Sequence, residues 1–111
     1  MVKYHRLDFA FGALADPTRR EILERLTRGP ASISELASAQ GMSLPGVMKH
    51  VRILEGADLV RSEKQGRTRQ CRLGPGRLDE ATAWIEWYRS HWERRIDQLE
   101  TYLERKKGAA T

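Results

Sequence analysis

Cysteine is nearly absent: Cys71 is the one thiol in 111 residues. A single thiol excludes an intrachain disulfide and fits a reducing compartment. Long apolar runs are missing as well. None approaches the roughly 20 residues that a membrane span requires, so no membrane partner is expected. The opening MVKYHRLDFAFGALA carries an arginine and an aspartate inside its apolar stretch and fits neither a signal peptide nor a transit peptide. A cytoplasmic protein is the resulting expectation. A nucleophile–base pair, a phosphate-binding glycine loop and a metal-ligand set are all lacking, so an enzyme is not expected. Acidic side chains are scarce in one segment only. Residues 42–72 hold seven basic side chains (Lys49, Arg52, Arg61, Lys64, Arg67, Arg69, Arg72) and three acidic ones, which gives +4. Residues 1–41 hold six basic and five acidic, and residues 73–111 hold seven of each, so that segment carries nearly all of the net +5. Charge gathered in one place points to a polyanionic partner, since solubility alone does not need the clustering.

What is present is 40% hydrophobic and 32% charged, the composition of a soluble globular chain. Its length suits one domain with one core, residues 1–111. The spacing predicts a first helix at about residues 5–14, with Leu7, Phe11 and Leu14 on one side. Asp16 can cap, and Pro17 can open, a second helix at about 17–28 with Ile22, Leu23 and Leu26 inward. Ser32 and Glu35 form a capping box for a short third helix, about 32–40, stopped by Gly41. Some three residues later Ser43 opens a fourth helix, 43–56, and this close pair is a helix-turn-helix.

The fourth helix, SLPGVMKHVRILEG, places Leu44, Val47, Val51 and Leu54 on an inward stripe. The opposite face carries Pro45, Gly46, Lys49 and Arg52, with His50 on its flank and no carboxylate before Glu55. Gly46 is a poor helix former and suits a place where another surface approaches the backbone. After Leu54 the period changes. Leu59 to Lys64, a Gln65–Gly66 turn and Arg67 to Leu73 read as a basic hairpin, about residues 59–73. A charged hairpin is often only a protected edge, but here acidic partners are few. Gly74-Pro75-Gly76 then leads into a long helix at about 77–105. Its stripe is Leu78, Ala81, Ile85, Tyr88, Trp92, Ile96, Leu99 and Leu103, widened by Trp84 and Trp87, and nearly a heptad seam. Three of the three tryptophans and two of the three tyrosines fall between 84 and 102, more than one copy of the helix can bury. A second copy of the chain is the expected partner, and the tail from Lys106 is expected to fray.

This is the order of a winged helix-turn-helix: mainly α with a small β-hairpin, and N- and C-terminal dimerisation helices. The segments FGALADPTRREILERL and ISELASAQGMSLPGVMKHVRILEGADLVRSEKQGRTRQCRL resemble the ArsR-type winged-helix transcriptional regulators. The resemblance implies a homodimer with its recognition helix at 43–56 and its wing at 61–70. Its first and last helices would pair across the two-fold. The expected partner is double-stranded DNA, and the expected function is repression at a pseudo-palindromic operator. Candidate DNA contacts are Ser43, Pro45, Gly46, Lys49, His50, Arg52, Lys64, Arg67, Thr68 and Arg69. Candidate interface residues are Leu7, Phe11, Ile85, Tyr88, Trp92, Ile96, Leu99 and Leu103. Three positions depart from the family's pattern: Met48 where a serine is common, Asp58 where a glycine closes the helix, and Cys71 where an aromatic is common.

Many relatives sense metals, but the third helix here has no thiol and His91 has Arg94 and Arg95 one turn on, where a second ligand belongs. His5, His50 and His91 lie far apart, and Cys71 alone makes no soft-metal site. No metal and no cofactor are expected, and no effector is indicated. Two other functions fit the same elements less well: a protein-interaction module that keeps a winged-helix scaffold, and a redox sensor acting through Cys71, which has no resolving cysteine.

Overall fold

The computed structural model describes residues 2–109, with side chains from 6 to 108; the expectations placed on His5 and on residues 110 and 111 lie outside the described residues. Helix α1 (Val2–Leu14) is followed by α2 (Pro17–Leu26), strand β1 (Ala31–Ser32), α3 (Ile33–Gln40) and α4 (Leu44–Gly56). Strands β2 (Val60–Gln65) and β3 (Thr68–Leu73) precede α5 (Asp79–Ala109). Residues up to 79 make one compact unit, and the body of α5, from 80 on, makes a second. No helix among the described residues is long and apolar enough to cross a membrane.

Local chemistry sets the helix ends. The Asp16 carboxylate accepts from the Arg19 N–H and Pro17 takes the first position of α2, as the sequence predicts. Ser32 Oγ accepts from the Glu35 N–H at 3.0 Å and starts α3. Gly41, at φ 62°, closes α3 in the left-handed conformation. The turn into α4 therefore spans residues 41–43. At the far end of α4, Leu59 N–H reaches Leu54 O at 3.0 Å with Asp58 at φ 59° between them. Aspartate thus does hold the left-handed position where the family's pattern has glycine.

Several expectations on the elements need correction. A two-residue strand, β1, joins the hairpin in a three-stranded sheet of order β1-β3-β2. It pairs Ala31 with Cys71 and Ser32 with Gln70, and is too short to leave a periodic signal. The hairpin loop is Gly66–Arg67, one residue later than expected, with Gly66 at φ 65° as a two-residue loop demands. Leu44 is not on the buried stripe; it is 51% exposed, because the first turn of α4 stands beyond the core. Leu78 is not on the last helix either. It precedes α5 at φ 59° and packs on the core of the first unit. At the other end, Lys106 to Ala109 continue the helix where fraying was expected.

The core gathers Ile22 of α2, Leu36 of α3, Val47, Val51 and Leu54 of α4, Val60 of β2 and Cys71 of β3, all below 2% exposure. Each aliphatic side chain of this kind contributes about 1.5–3 kcal/mol on burial. Three of them belong to α4, so that helix is fixed firmly by one face. Behind the sheet, Gly74 passes close to the chain at Asp58. An added Cβ there would lie 2.5 Å from Asp58 O and 3.1 Å from Val60 N, both backbone atoms that cannot swing aside. Gly74→Ala is therefore expected to cost about 1–3 kcal/mol, read as a lower urea midpoint at unchanged slope. An unchanged midpoint would mean that the Asp58 backbone yields to a methyl group at no cost.

Candidate nucleic-acid interface

With Val47, Val51 and Leu54 buried, α4 turns Pro45, Lys49 and Arg52 to solvent. Ser43 caps the helix, its Oγ accepting from the Gly46 N–H at 3.2 Å. A Cβ on Gly46 would meet that Oγ at 3.2 Å and Met42 Cε at 3.4 Å, so glycine also leaves room for the cap. Met48 is half-buried against the core, away from any phosphate-touching role that a serine there would have.

His50, a candidate DNA contact, also has partners inside the chain. Its side chain is only 18% exposed. The Arg19 guanidinium donates through Nε to Ala13 O at 2.8 Å and through Nη2 to Gly12 O at 2.9 Å, capping the end of α1. Its Nη1 lies 3.1 Å from His50 Nδ1. Asp16 Oδ2 stands 3.9 Å from the same Nδ1. Burial pushes the Asp16 carboxyl up. The Arg19 N–H, the charges of His50 and Arg19, and the Thr18 N–H outweigh it and hold the group below the usual carboxylate range. Asp16, Arg19 and His50 thus bolt α1 and α2 to α4. Sequence reading found Asp16 as a cap but missed Arg19, whose partner is 31 residues away.

Strand register sorts the basic residues of the wing. Lys64 pairs with Arg69, and Ser62 with Cys71, on one face; Arg61 pairs with Arg72, and Glu63 with Gln70, on the other. Arg72 is neutralised by Glu63 at 3.3 Å on that second face. Lys64 and Arg69 are like charges directly opposite one another, an arrangement that weakens a sheet. Arg67 adds a third exposed cation at the loop between them. Thr68 spends its hydroxyl on Gln65 O at 3.0 Å, closing the loop. Arg69 Nη1 donates to Ser62 Oγ at 3.1 Å, and Ser62 donates to Glu55 of α4 at 3.3 Å. That chain of bonds ties the wing to α4. Neither Ser62 nor Glu55 stands out in the sequence.

Cys71 is fully buried. Burial, with the nearby Glu55 carboxylate adding to it and Arg69 opposing it, pushes its thiol up to about 11. It stays protonated at neutral pH and is a poor nucleophile, which weighs against redox sensing. The raised value also means that any stability it lends is present below pH 9 and declines as pH rises from 9 towards 11. Native protein at pH 7.5 is expected to resist Ellman's reagent, and urea-unfolded protein to release one equivalent of thiolate. Rapid labelling of the native chain would show that this part of the core opens readily.

On α5, Ile85, Tyr88, Trp92, Ile96, Leu99 and Leu103 form a stripe, each between 43 and 56% exposed. Trp84 stacks on Tyr88 at 5.5 Å between centroids, and Tyr88 meets Trp92 edge-on at 6.2 Å. His91 lies over Trp87 at 6.4 Å. Among the described residues no three His, Cys, Asp or Glu side chains are grouped to hold a metal ion. On α1, Leu7 and Phe11 are half-buried.

A helix-turn-helix whose second helix shows a basic outer face, followed by a basic two-stranded wing, defines a winged-helix DNA-binding protein. Comparison with known proteins narrows the class. Residues 14–63 match the family of helix-turn-helix domains. The HTH-type transcriptional regulator Rv2034 of Mycobacterium tuberculosis is 43% identical over 75 residues, 68% of this chain and 70% of that protein. The transcriptional repressor SdpR of Bacillus subtilis is 29% identical over 75 residues, 68% of this chain and 83% of that one. A crystal structure of an ArsR family transcriptional regulator superposes with a TM-score of 0.72 at 45% identity, covering 79% of this chain and 91% of the other. The chain belongs to the ArsR family of transcriptional regulators and is itself a DNA-binding regulator, in a family of regulators rather than of enzymes.

Proposed function

We propose that the protein is a homodimeric repressor that reads a pseudo-palindromic operator. Two copies join along the α5 stripe, with Leu7 and Phe11 of α1 adding to the interface. Each copy lays the N-terminal half of α4 in a major groove, where Ser43, Pro45, Gly46, Lys49 and Arg52 meet base edges and phosphates. The wing brings Lys64, Arg67 and Arg69 to the backbone or the adjoining minor groove. His50 and Thr68 act here through the bonds that position α4 and the wing loop. The observation that carries this reading is the unneutralised face of the wing. Lys64 opposite Arg69, with Arg67 at the tip, is a costly arrangement that a phosphate backbone relieves. Repression rather than activation is supported by the kinship with SdpR, whose name records that role.

Selection of bound duplexes from a random library tests the reading. It is expected to return an inverted repeat, and binding to it should weaken steeply with salt. A pool that never enriches would defeat it. Added zinc or a chelator is expected to leave operator affinity unchanged, because neither α3 nor the surroundings of His91 offers a ligand set. A tenfold change with stoichiometric metal would point to ligands shared between two copies.

A further inference from the structure

The exposed end of α4 is apolar. Leu44 is 51% exposed while Val47, Val51 and Leu54, farther along the same helix, are fully buried. Pro45 beside it is exposed and has no N–H to offer. The Gly46 N–H is committed to Ser43 Oγ at 3.2 Å. Helix N-termini commonly hold anions through free N–H groups. Here Pro45 lacks one such group and the cap takes that of Gly46, so the tip offers fewer donors than usual beside the exposed hydrocarbon of Leu44. Ile53, the other exposed aliphatic residue of α4, lies in its C-terminal half.

The base edges in the major groove display hydrogen-bond donors, acceptors and one apolar group, the C5-methyl of thymine. We propose that Leu44, flanked by the Pro45 ring, is a specificity-determining residue that receives a thymine methyl. Each operator half-site then carries an A·T pair beneath the tip of α4. The inference rests on the proposed docking of α4 in the groove and adds to it the kind of base read there. Lys49 and Arg52, farther along the helix, carry donors for acceptor edges and phosphates. Leu44 supplies the apolar contact that they cannot make.

The test uses the full chain and a duplex obtained by selection. Its thymines are replaced one at a time by deoxyuridine, which removes only the methyl. Affinity is expected to fall about fourfold at one position per half-site, the factor for burying one methyl-sized group. Leu44→Ala and Leu44→Gln should bind the thymine and uracil forms of that duplex equally, with unchanged helix content by circular dichroism. If no thymine-to-uracil change matters, or if both variants keep the discrimination, Leu44 does not read a methyl and the inference is overturned, while groove docking stands. Failure to select any duplex overturns the docking and the inference together.

Discussion

Ile96→Glu is expected to convert the protein to monomers at micromolar concentration and to lower operator affinity by about a hundredfold or more. Ile96 lies in the middle of the α5 stripe and is 53% exposed in a single chain. Monomeric soluble proteins seldom leave so long a row of large apolar and aromatic side chains in water. A glutamate there would bury its charge in a dimer seam and meet its own copy across the two-fold. Separating the copies turns a joint engagement of two half-sites into two weak ones, and such avidity is commonly worth a factor of 10² to 10⁴. The substitution is conservative for the monomer, since glutamate is a good helix former at an exposed position. Sedimentation and titration together check the result. A variant that stays dimeric would move the interface elsewhere, and a monomeric variant with full affinity would show that one copy reads the operator alone.

The second large effect separates helix from wing. Arg67 stands at the wing loop and Lys49 on the outer face of α4, both exposed. A phosphate contact lends affinity that is blind to sequence and falls with salt. Arg67→Ala is therefore expected to weaken operator and scrambled DNA alike and to flatten the salt slope by about one unit per subunit. A base contact discriminates, so Lys49→Ala should lower operator binding by about tenfold more than it lowers scrambled binding. The difference between the two variants is the informative quantity. Equal losses on both DNAs from both variants would place base reading at Ser43, Gly46 or Arg52 instead.

Much of the first unit was legible because its signals are local. Asp16-Pro17 and Ser32 fix helix starts by chemistry within one turn, and the structure keeps both caps, while the Glu35 carboxylate of the expected box lies 3.6 Å from Arg25. The stripe of α4 gave Val47, Val51 and Leu54 correctly, but periodicity does not tell where a core stops, and Leu44 lies past its edge. β1 was invisible because a two-residue strand exists only through its partner β3. The bolt from Arg19 to His50 and the chain from Arg69 through Ser62 to Glu55 join segments distant in sequence. No pattern along the chain encodes such pairings. They give His50 a contact with Arg19 that its place among the candidate DNA contacts did not foretell. Leu78 was absorbed into the last helix because its spacing fits the stripe, whereas its φ of 59° ends that continuity one residue before α5.

Hydroxyl-radical footprinting of the selected duplex, with the mass of the complex measured on the same sample, tests the central claim most directly. Two chains on one duplex are predicted, with protection symmetric about a two-fold and half-site centres about 10 base pairs apart. One chain per duplex, or protection without two-fold symmetry, would contradict it.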